Sequence, residues 1–182
     1  MSNTPQASGG TSETPALTEN DRSEHPAVAR VLATLHKAGV DPQVRHLPDA
    51  VRTAPAAAEA LGVTPAEIAN SLIFAATTGD HEVLPLLILA SGGHRVDTDK
   101  VAAATGLTRI KRADPEFVRS TTGFVIGGVA PVGHLCDIRT IVDRDLEQFE
   151  TVWAAAGHSH SVFATSYAQL LALTGGEPMD VA

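Results

Sequence analysis

Residues 64–90 read TPAEIANSLIFAATTGDHEVLPLLILA, and this stretch decides the fold class. Thr64, Pro65 and Glu67 form a capping box with proline at the first helical position, so a short helix is expected to begin there. It leads straight into Ser71 to Thr77, an apolar run of strand length. Thr78-Gly79-Asp80 carries turn chemistry, and Glu82 to Ala90 is a second strand-like run. Two strands joined by so short a turn pair antiparallel, whereas a doubly wound parallel sheet needs long crossovers. The expected class is therefore α+β: a mixed sheet interrupted and flanked by helices.

The chain on either side fits that class. Pro26 to Lys37 places Val28, Val31, Leu32 and Leu35 on one helical stripe, and Gly39 closes it. Gln43 to Leu47 reads as extended, and Thr53 to Leu61 as an alanine-rich helix stopped by Gly62. Further on, Asp97 or Thr98 caps a helix to Thr105. Arg109 to Arg112 is a short strand, and Asp114-Pro115 opens a helix to about Thr121. Ile138 to Val142, Thr151 to Ala155 and Ser161 to Ala164 are strand candidates. Ser166 to Leu173 is a last helix, ended by Gly175-Gly176. All seven aromatic residues lie from Phe74 onward, so the bulky core anchors belong to the middle and C-terminal parts. There is no internal repeat.

The chain has 182 residues, with 21 acidic and 13 basic side chains and a formal net charge of −8. Apolar residues make up 43% and charged residues 19%, a globular composition. Residues 1–24 hold only Met1, Ala7, Ala16 and Leu17 as apolar groups, so they are expected to form a disordered tail ahead of one domain over residues 25–182. That segment has no apolar core of the kind a signal peptide needs. Cys136 is the single cysteine, which excludes an internal disulfide framework and a cysteine-based zinc site. Val83 to Ala90 is the longest apolar run, broken by Pro85 and far short of the ~20 residues that span a bilayer. The expected compartment is the cytoplasm, with no membrane partner. The acidic balance argues against DNA, whose grip needs many neutralised phosphates, but leaves room for holding a single nucleotide end.

Residues 122–134, TGFVIGGVAPVGH, are the candidate site loop. Four glycines and a proline among apolar residues make a loop whose backbone can approach a ligand, or else a tight bend between a helix and a strand. It matches neither G-x-G-x-x-G nor a phosphate loop ending in G-K-[ST]. Gly127 to Pro131 fits G-x-x-x-P, and with Thr122-Gly123-Phe124 before it and Gly133 after it the stretch resembles the YbaK / prolyl-tRNA-editing family. Ala69 to Phe74 is similar to that family's K-S-L-x-F strand, and Gly93 to Asp97 to its R-x-D step into a helix. Val152 to Gly157 is similar to its late strand and small-residue turn.

The resemblance, over about His25 to Ala182, implies a mixed sheet partly rolled into a barrel and an aminoacyl-tRNA deacylase activity. It implies hydrolysis helped by the terminal ribose hydroxyl and a positioned water, with the G-x-x-x-P backbone orienting the ester. No cofactor and no metal are implied. The partners implied are the aminoacyl-tRNA acceptor end and an aminoacyl-tRNA synthetase. The family's functional lysine corresponds to Asn70, which keeps an amide donor but carries no charge. Asn70, Gly127 and Gly128 are thus the expected catalytic positions. His46, Ser71, Val129, Ala130, Pro131, His134, Gly157 and His158 are expected substrate contacts, and His94 with Arg95 a tRNA contact.

The remaining polar residues have plainer readings. His158-Ser159-His160 alternates as metal ligands on a strand do, but no third ligand accompanies the pair. No G-x-S-x-G elbow surrounds Ser71, so an activated serine is not expected. Asp137, Asp143 and Asp145, near Arg139 and Arg144, read as a solvated charged edge. Arg95 to Arg119 holds six bases and four acids, a locally positive segment suited to an acceptor stem or simply to solvent. The expected function is a trans-acting hydrolase of mischarged tRNA; the alternative is a binding module of the same fold without turnover.

Overall fold

The structure is a computed structural model that describes residues 25–48, 51 and 53–182; the tail expected over residues 1–24 lies outside them. The elements in chain order are α1 (Pro26–Lys37), β1 (Val44–His46), α2 (Ala54–Leu61), a 3-10 turn (Pro65–Glu67), β2 (Ile68–Thr77), β3 (Val83–Ser91), α3 (Thr98–Thr105) and β4 (Arg109–Arg112). They continue with α4 (Pro115–Thr122), β5 (Arg139–Asp143), a second 3-10 turn (Arg144–Gln148), β6 (Val152–His158), β7 (Ser161–Thr165), α5 (Tyr167–Thr174) and β8 (Glu177–Met179). The sheet is mixed, in the order β1-β7-β6-β2-β3-β5-β8, with β4 pairing β2 off that path. The β2–β3 hairpin is antiparallel from Ala69↔Ser91 to Thr77↔Val83, while β3–β5, β5–β8 and β2–β6 are parallel. This is the α+β mixed sheet flanked by helices that residues 64–90 foretell.

Local chemistry sets the element ends. The Glu67 carboxylate accepts from the Thr64 amide at 2.7 Å and from its hydroxyl at 2.8 Å, closing the capping box. Asp97, Asp114 and Ser166 cap α3, α4 and α5 with their side chains. In the hairpin connection the left-handed residue is His81, at φ 66°, not Gly79. Pro85 sits inside β3 without loss. Ile68 O accepts from Gly92, so even-numbered residues of β3 bond toward β2, and the nitrogen of Pro85 faces the β5 side. There the pairing with β5 starts only at Leu86.

Both sheet faces are covered, which is why 86–90 reads as an unbroken apolar run. Ile73, Leu87, Leu89 and Val142 face a core shared with Val31 and Leu35 of α1, the loop residues Phe124, Val129 and Val132, and Leu170 of α5. Phe74, Leu86, Ile88 and Ile141 face the opposite core with Val101 of α3 and Ile110 of β4. A third cluster joins Ala57 and Ala58 of α2 to Leu47, Ile68, Trp153 and Val162.

Two elements escape the sequence pattern. β6 continues past Ala155 to His158, and β8 follows Gly176. β8 is three residues long and is tied to β5 by an Arg139–Glu177 pair at 2.8 and 3.1 Å, contacts that no local pattern announces. Among the described residues no helix is long and apolar enough to cross a membrane.

Candidate functional site

The site begins with a break in one edge of β2. The far side of β2 pairs continuously with β3, but its near side pairs with β6 only at Ile68 and Ala69 and with β4 only from Phe74 to Thr77. Between these two partners, residues 70–72 are left facing a gap. The carbonyls of Ile73 and Thr77 accept from Ala113 and Thr108 on that side, so odd-numbered residues of β2 point their backbone groups toward it. By the same alternation Ser71 aims its N–H and C=O into the gap. Its hydroxyl is buried and has no hydrogen-bond partner among the described residues. A buried unsatisfied polar atom costs about 1–3 kcal/mol, so Ser71 is the point where the fold holds polar capacity in reserve.

The gap opens into a cavity of about 350 Å³. Asn70, Ser71 and Leu72 form one wall, Gly127 and Val129 of the loop another, and Trp153 and Ala155 of β6 a third. Thr53, the cap of α2, with Ala54 and Ala57 of that helix, closes it from the side, and Arg112 at the end of β4 lines it as well. Trp153 is held in place by the Arg45 guanidinium, 4.9 Å from its ring centre. A smaller cavity of about 40 Å³ adjoins the first and shares Ser71, Arg112, Ile126, Gly127 and Val129 with it.

The loop that supplies Gly127 is braced from behind. Arg30 of α1 donates through Nε to Gly133 O at 2.7 Å and through Nη2 to Thr122 O at 3.2 Å, and its guanidinium lies 4.6 Å from the Phe124 ring. One arginine thereby ties both ends of the loop to a helix. Thr122 Oγ1 accepts from the Phe124 amide, and the His134 ring stands edge-on to Phe124. The tip, by contrast, leaves Val125 and Ile126 exposed, at 49% and 58%. Gly127 has φ +92°, a left-handed conformation that a side chain resists. At Gly128 a Cβ would lie 3.0 Å from the His158 backbone, so this glycine lets the loop rest on the β6–β7 turn.

The expected site residues divide accordingly. Asn70, Ser71, Gly127 and Val129 meet at the cavity. Gly128 is buried, and its amide donates to Val125 O at 3.0 Å, closing the loop's own turn. Ala130 and Pro131 are buried in the loop's root, and Ala130 O is bonded to His134 Nε2 at 2.8 Å. His134 therefore braces the loop and does not line the cavity. Burial pushes its pKa below the usual 6.5, against the opposing pull of the Ala130 bond, and Arg30 nearby adds to the lowering.

His46 is likewise absent from the cavity wall and bonds Ser161 Oγ at 3.0 Å across the β1–β7 pair. Gly157, at φ +96°, packs on the Ala27 carbonyl of α1. His158 accepts from the His160 amide and lies against His25 and His160, with ring centres 5.2 and 5.6 Å away. These two histidines flank a turn instead of alternating along one strand, and no group of three metal-binding side chains exists among the described residues.

His94 and its surroundings correct another expectation. Asp143 is fully buried, not part of a solvated edge. One of its oxygens accepts from the Ser91 amide at 3.0 Å and from His94 Nδ1 at 2.8 Å; the other accepts from the Asp145 amide. The 91–97 loop is thereby bolted to β5, and neither His94 nor Arg95 lines the cavity. Arg112, Trp153 and the α2 residues are cavity walls that sequence reasoning missed. Arg112 carries no local pattern separating it from Arg109 and Lys111; only the pairing of β4 beside the gap singles it out.

With this geometry, the comparisons with known proteins become decisive. Residues 48–173 match the aminoacyl-tRNA editing domain. The chain belongs to the aminoacyl-tRNA editing domain family. The matched span contains the β2 gap, the loop and Arg112, and every cavity-lining residue except Leu47. YwhH of Bacillus subtilis (strain 168), a protein named as uncharacterised, is 36% identical over 105 residues, 58% of this chain. The chain spans about 64% of YwhH. EbsC of Enterococcus faecalis (strain ATCC 700802 / V583), provisionally named a Cys-tRNA(Pro)/Cys-tRNA(Cys) deacylase, is 24% identical over 69% of this chain and 74% of its own length. A crystal structure provisionally described as a trans-editing enzyme for prolyl-tRNA synthetase superposes with a TM-score of 0.78. It is 38% identical, over 86% of this chain and 96% of that one.

Proposed function

We propose that the protein is a trans-acting aminoacyl-tRNA deacylase that hydrolyses the ester of a mischarged tRNA. The observation that carries this reading is the cavity at the β2 gap, which Asn70, Gly127 and Ser71, with its unpartnered hydroxyl, line together. The apolar walls accept the terminal adenosine and the acyl side chain. Water adds to the acyl carbon, the ester C–O bond breaks, and the ribose oxygen leaves with a proton, giving a free amino acid and a tRNA with an intact terminus.

No histidine, carboxylate or thiol of the described residues lines the cavity. A general base from the protein is therefore missing from this wall, and the neighbouring ribose hydroxyl of the substrate is the group that relays the proton. The protein's part is positioning and fixed dipoles, which suffice for an ester already prone to hydrolysis. Gly127, whose residue lines the cavity, is better suited than Gly128 to face the ester carbonyl, because the Gly128 amide is engaged within the loop. Asn70 supplies a neutral hydrogen bond at the position of the family's lysine.

The absence of a histidine, carboxylate or thiol from the described wall also favours a second reading, a binding module that recognises aminoacyl-tRNA without turnover. Incubating the protein with a panel of mischarged tRNAs separates the two. Release of amino acid from at least one member above the spontaneous rate supports the hydrolase. Retention of tight binding with no release across the panel replaces it with the binding module.

A further inference from the structure

Among the described residues Arg112 is the single charged residue lining the cavity, and it lines the smaller adjoining cavity too. It stands at the last position of β4, paired with Phe74 where the β2 gap begins, and is exposed to solvent. Three other arginines have protein partners. Arg30 bonds two carbonyls, Arg45 covers Trp153 and Arg139 grips Glu177. The Arg112 side chain has no ion pair or hydrogen bond with any described residue. The chain carries a net charge of −8, so an unpartnered guanidinium at this cavity is a local reversal of sign.

We propose that Arg112 is the phosphate contact of this site, holding the 5′-phosphate of the nucleotide whose ribose and base enter the cavity. The inference rests on the deacylase reading for the identity of that nucleotide, the terminal adenosine of tRNA. Its geometry stands by itself: a planar fork of donors at the rim meets a phosphate that remains partly in water, while the uncharged part of the ligand occupies the apolar interior. A phosphate held at β4 aims the ribose toward Ser71 and Gly127, the shared walls of the two cavities. Arg112 is thereby a binding and orienting residue, not one that touches the scissile bond. Lys111, the next residue, faces the other side of β4 by strand alternation and lines neither cavity, which makes it the natural control.

The test titrates adenosine 5′-monophosphate and adenosine into the wild type and into Arg112→Gln, Arg112→Lys and Lys111→Gln, by calorimetry. Thermal unfolding of each variant confirms that it is folded. The wild type is expected to favour the monophosphate over adenosine. Arg112→Gln weakens the monophosphate about tenfold and adenosine less than twofold, the scale of one charge-assisted bidentate contact. Arg112→Lys lies between, and Lys111→Gln matches the wild type. In parallel, Arg112→Gln lowers the slope of log affinity for uncharged tRNA against log salt by about 0.7, one single-strand phosphate.

Equal weakening of both ligands, no weakening of either, or a wild type indifferent to the phosphate overturns the inference. Because these readouts involve no turnover, they separate it from the activity. A protein that binds the monophosphate through Arg112 but hydrolyses no mischarged tRNA keeps the contact and loses the hydrolase. One that hydrolyses with unchanged KM after Arg112→Gln keeps the hydrolase and loses the contact.

Discussion

Two glycine-containing loops, 91–97 and 122–134, look alike in sequence and do opposite jobs. In the first, the polar groups close on the protein itself. The Ser91 amide and His94 ring bond the buried Asp143, Ser91 Oγ donates to Ala66 O, and the Asp97 amide donates to Val181 O. In the second, Arg30 secures the root, while the tip stays exposed and Gly127 faces the cavity. A loop whose polar groups bond chiefly to the rest of the protein is a brace. A loop held only at its base, with its tip beside an unpartnered hydroxyl, is suited to a ligand.

The largest expected effect breaks the brace. Asp143→Ala leaves the buried Ser91 amide and the His94 ring without their acceptor, and should cost about 3 kcal/mol of stability. Denaturant unfolding measures that loss. Below the melting transition the folded variant should bind adenosine 5′-monophosphate as the wild type does. A variant with unchanged stability and lost binding would move the 91–97 loop into the site and erase the contrast.

The next effect strikes the second loop. Gly127→Val places a branched side chain at φ +92° on the cavity wall and should lower kcat/KM about 100-fold, the scale of one lost carbonyl-orienting donor. The stability loss should be smaller, about 1 kcal/mol, because the tip is exposed. Steady-state deacylation together with thermal unfolding gives both numbers. Full activity in this variant takes the loop out of the site.

Smaller changes sharpen the picture at β2. Asn70→Ala should lower kcat/KM about tenfold with little change in melting temperature, since a cavity-facing amide contributes little packing. Asn70→Lys should alter rate or substrate preference. Ser71→Ala carries opposite signs: removing an unpartnered buried hydroxyl should leave stability equal or slightly raised, while KM rises several-fold. If Ser71→Ala destabilises the protein and spares KM, the hydroxyl serves the fold and not the ligand.

The smallest expected effect is a pH dependence at the loop's root. His134 has a folded-state pKa below its unfolded 6.5 because burial disfavours the charged ring. The unfolded chain then binds the proton more readily, so this contribution to stability is complete above pH 6.5 and declines as pH falls below it. His134→Gln should flatten that part of the stability–pH curve, read from melting temperatures across the acid range. An unchanged slope would assign the acid sensitivity elsewhere.

Sequence alone determined the α+β class, because a capping box, two apolar runs and a three-residue turn over residues 64–80 leave the chain only a local hairpin to make. It also determined most element ends, since Thr53, Asp97, Asp114 and Ser166 cap helices through contacts within three residues. The G-x-x-x-P loop and the Asn70-Ser71 pair were legible for the same reason: each is a short run of adjacent residues.

Tertiary structure decided which of those residues share a cavity. The β2 gap exists because β6, more than 80 residues later in the chain, and β4 claim different stretches of one edge, and no local pattern encodes that division. The same long-range pairing buried Asp143, which its charged neighbours made look solvated, and turned His46, His134 and His158 into braces. It also left Arg112 facing the cavity without a partner. Hydrogen bonds between neighbours in sequence are fixed by spacing, whereas a side chain's burial depends on what the rest of the chain brings against it.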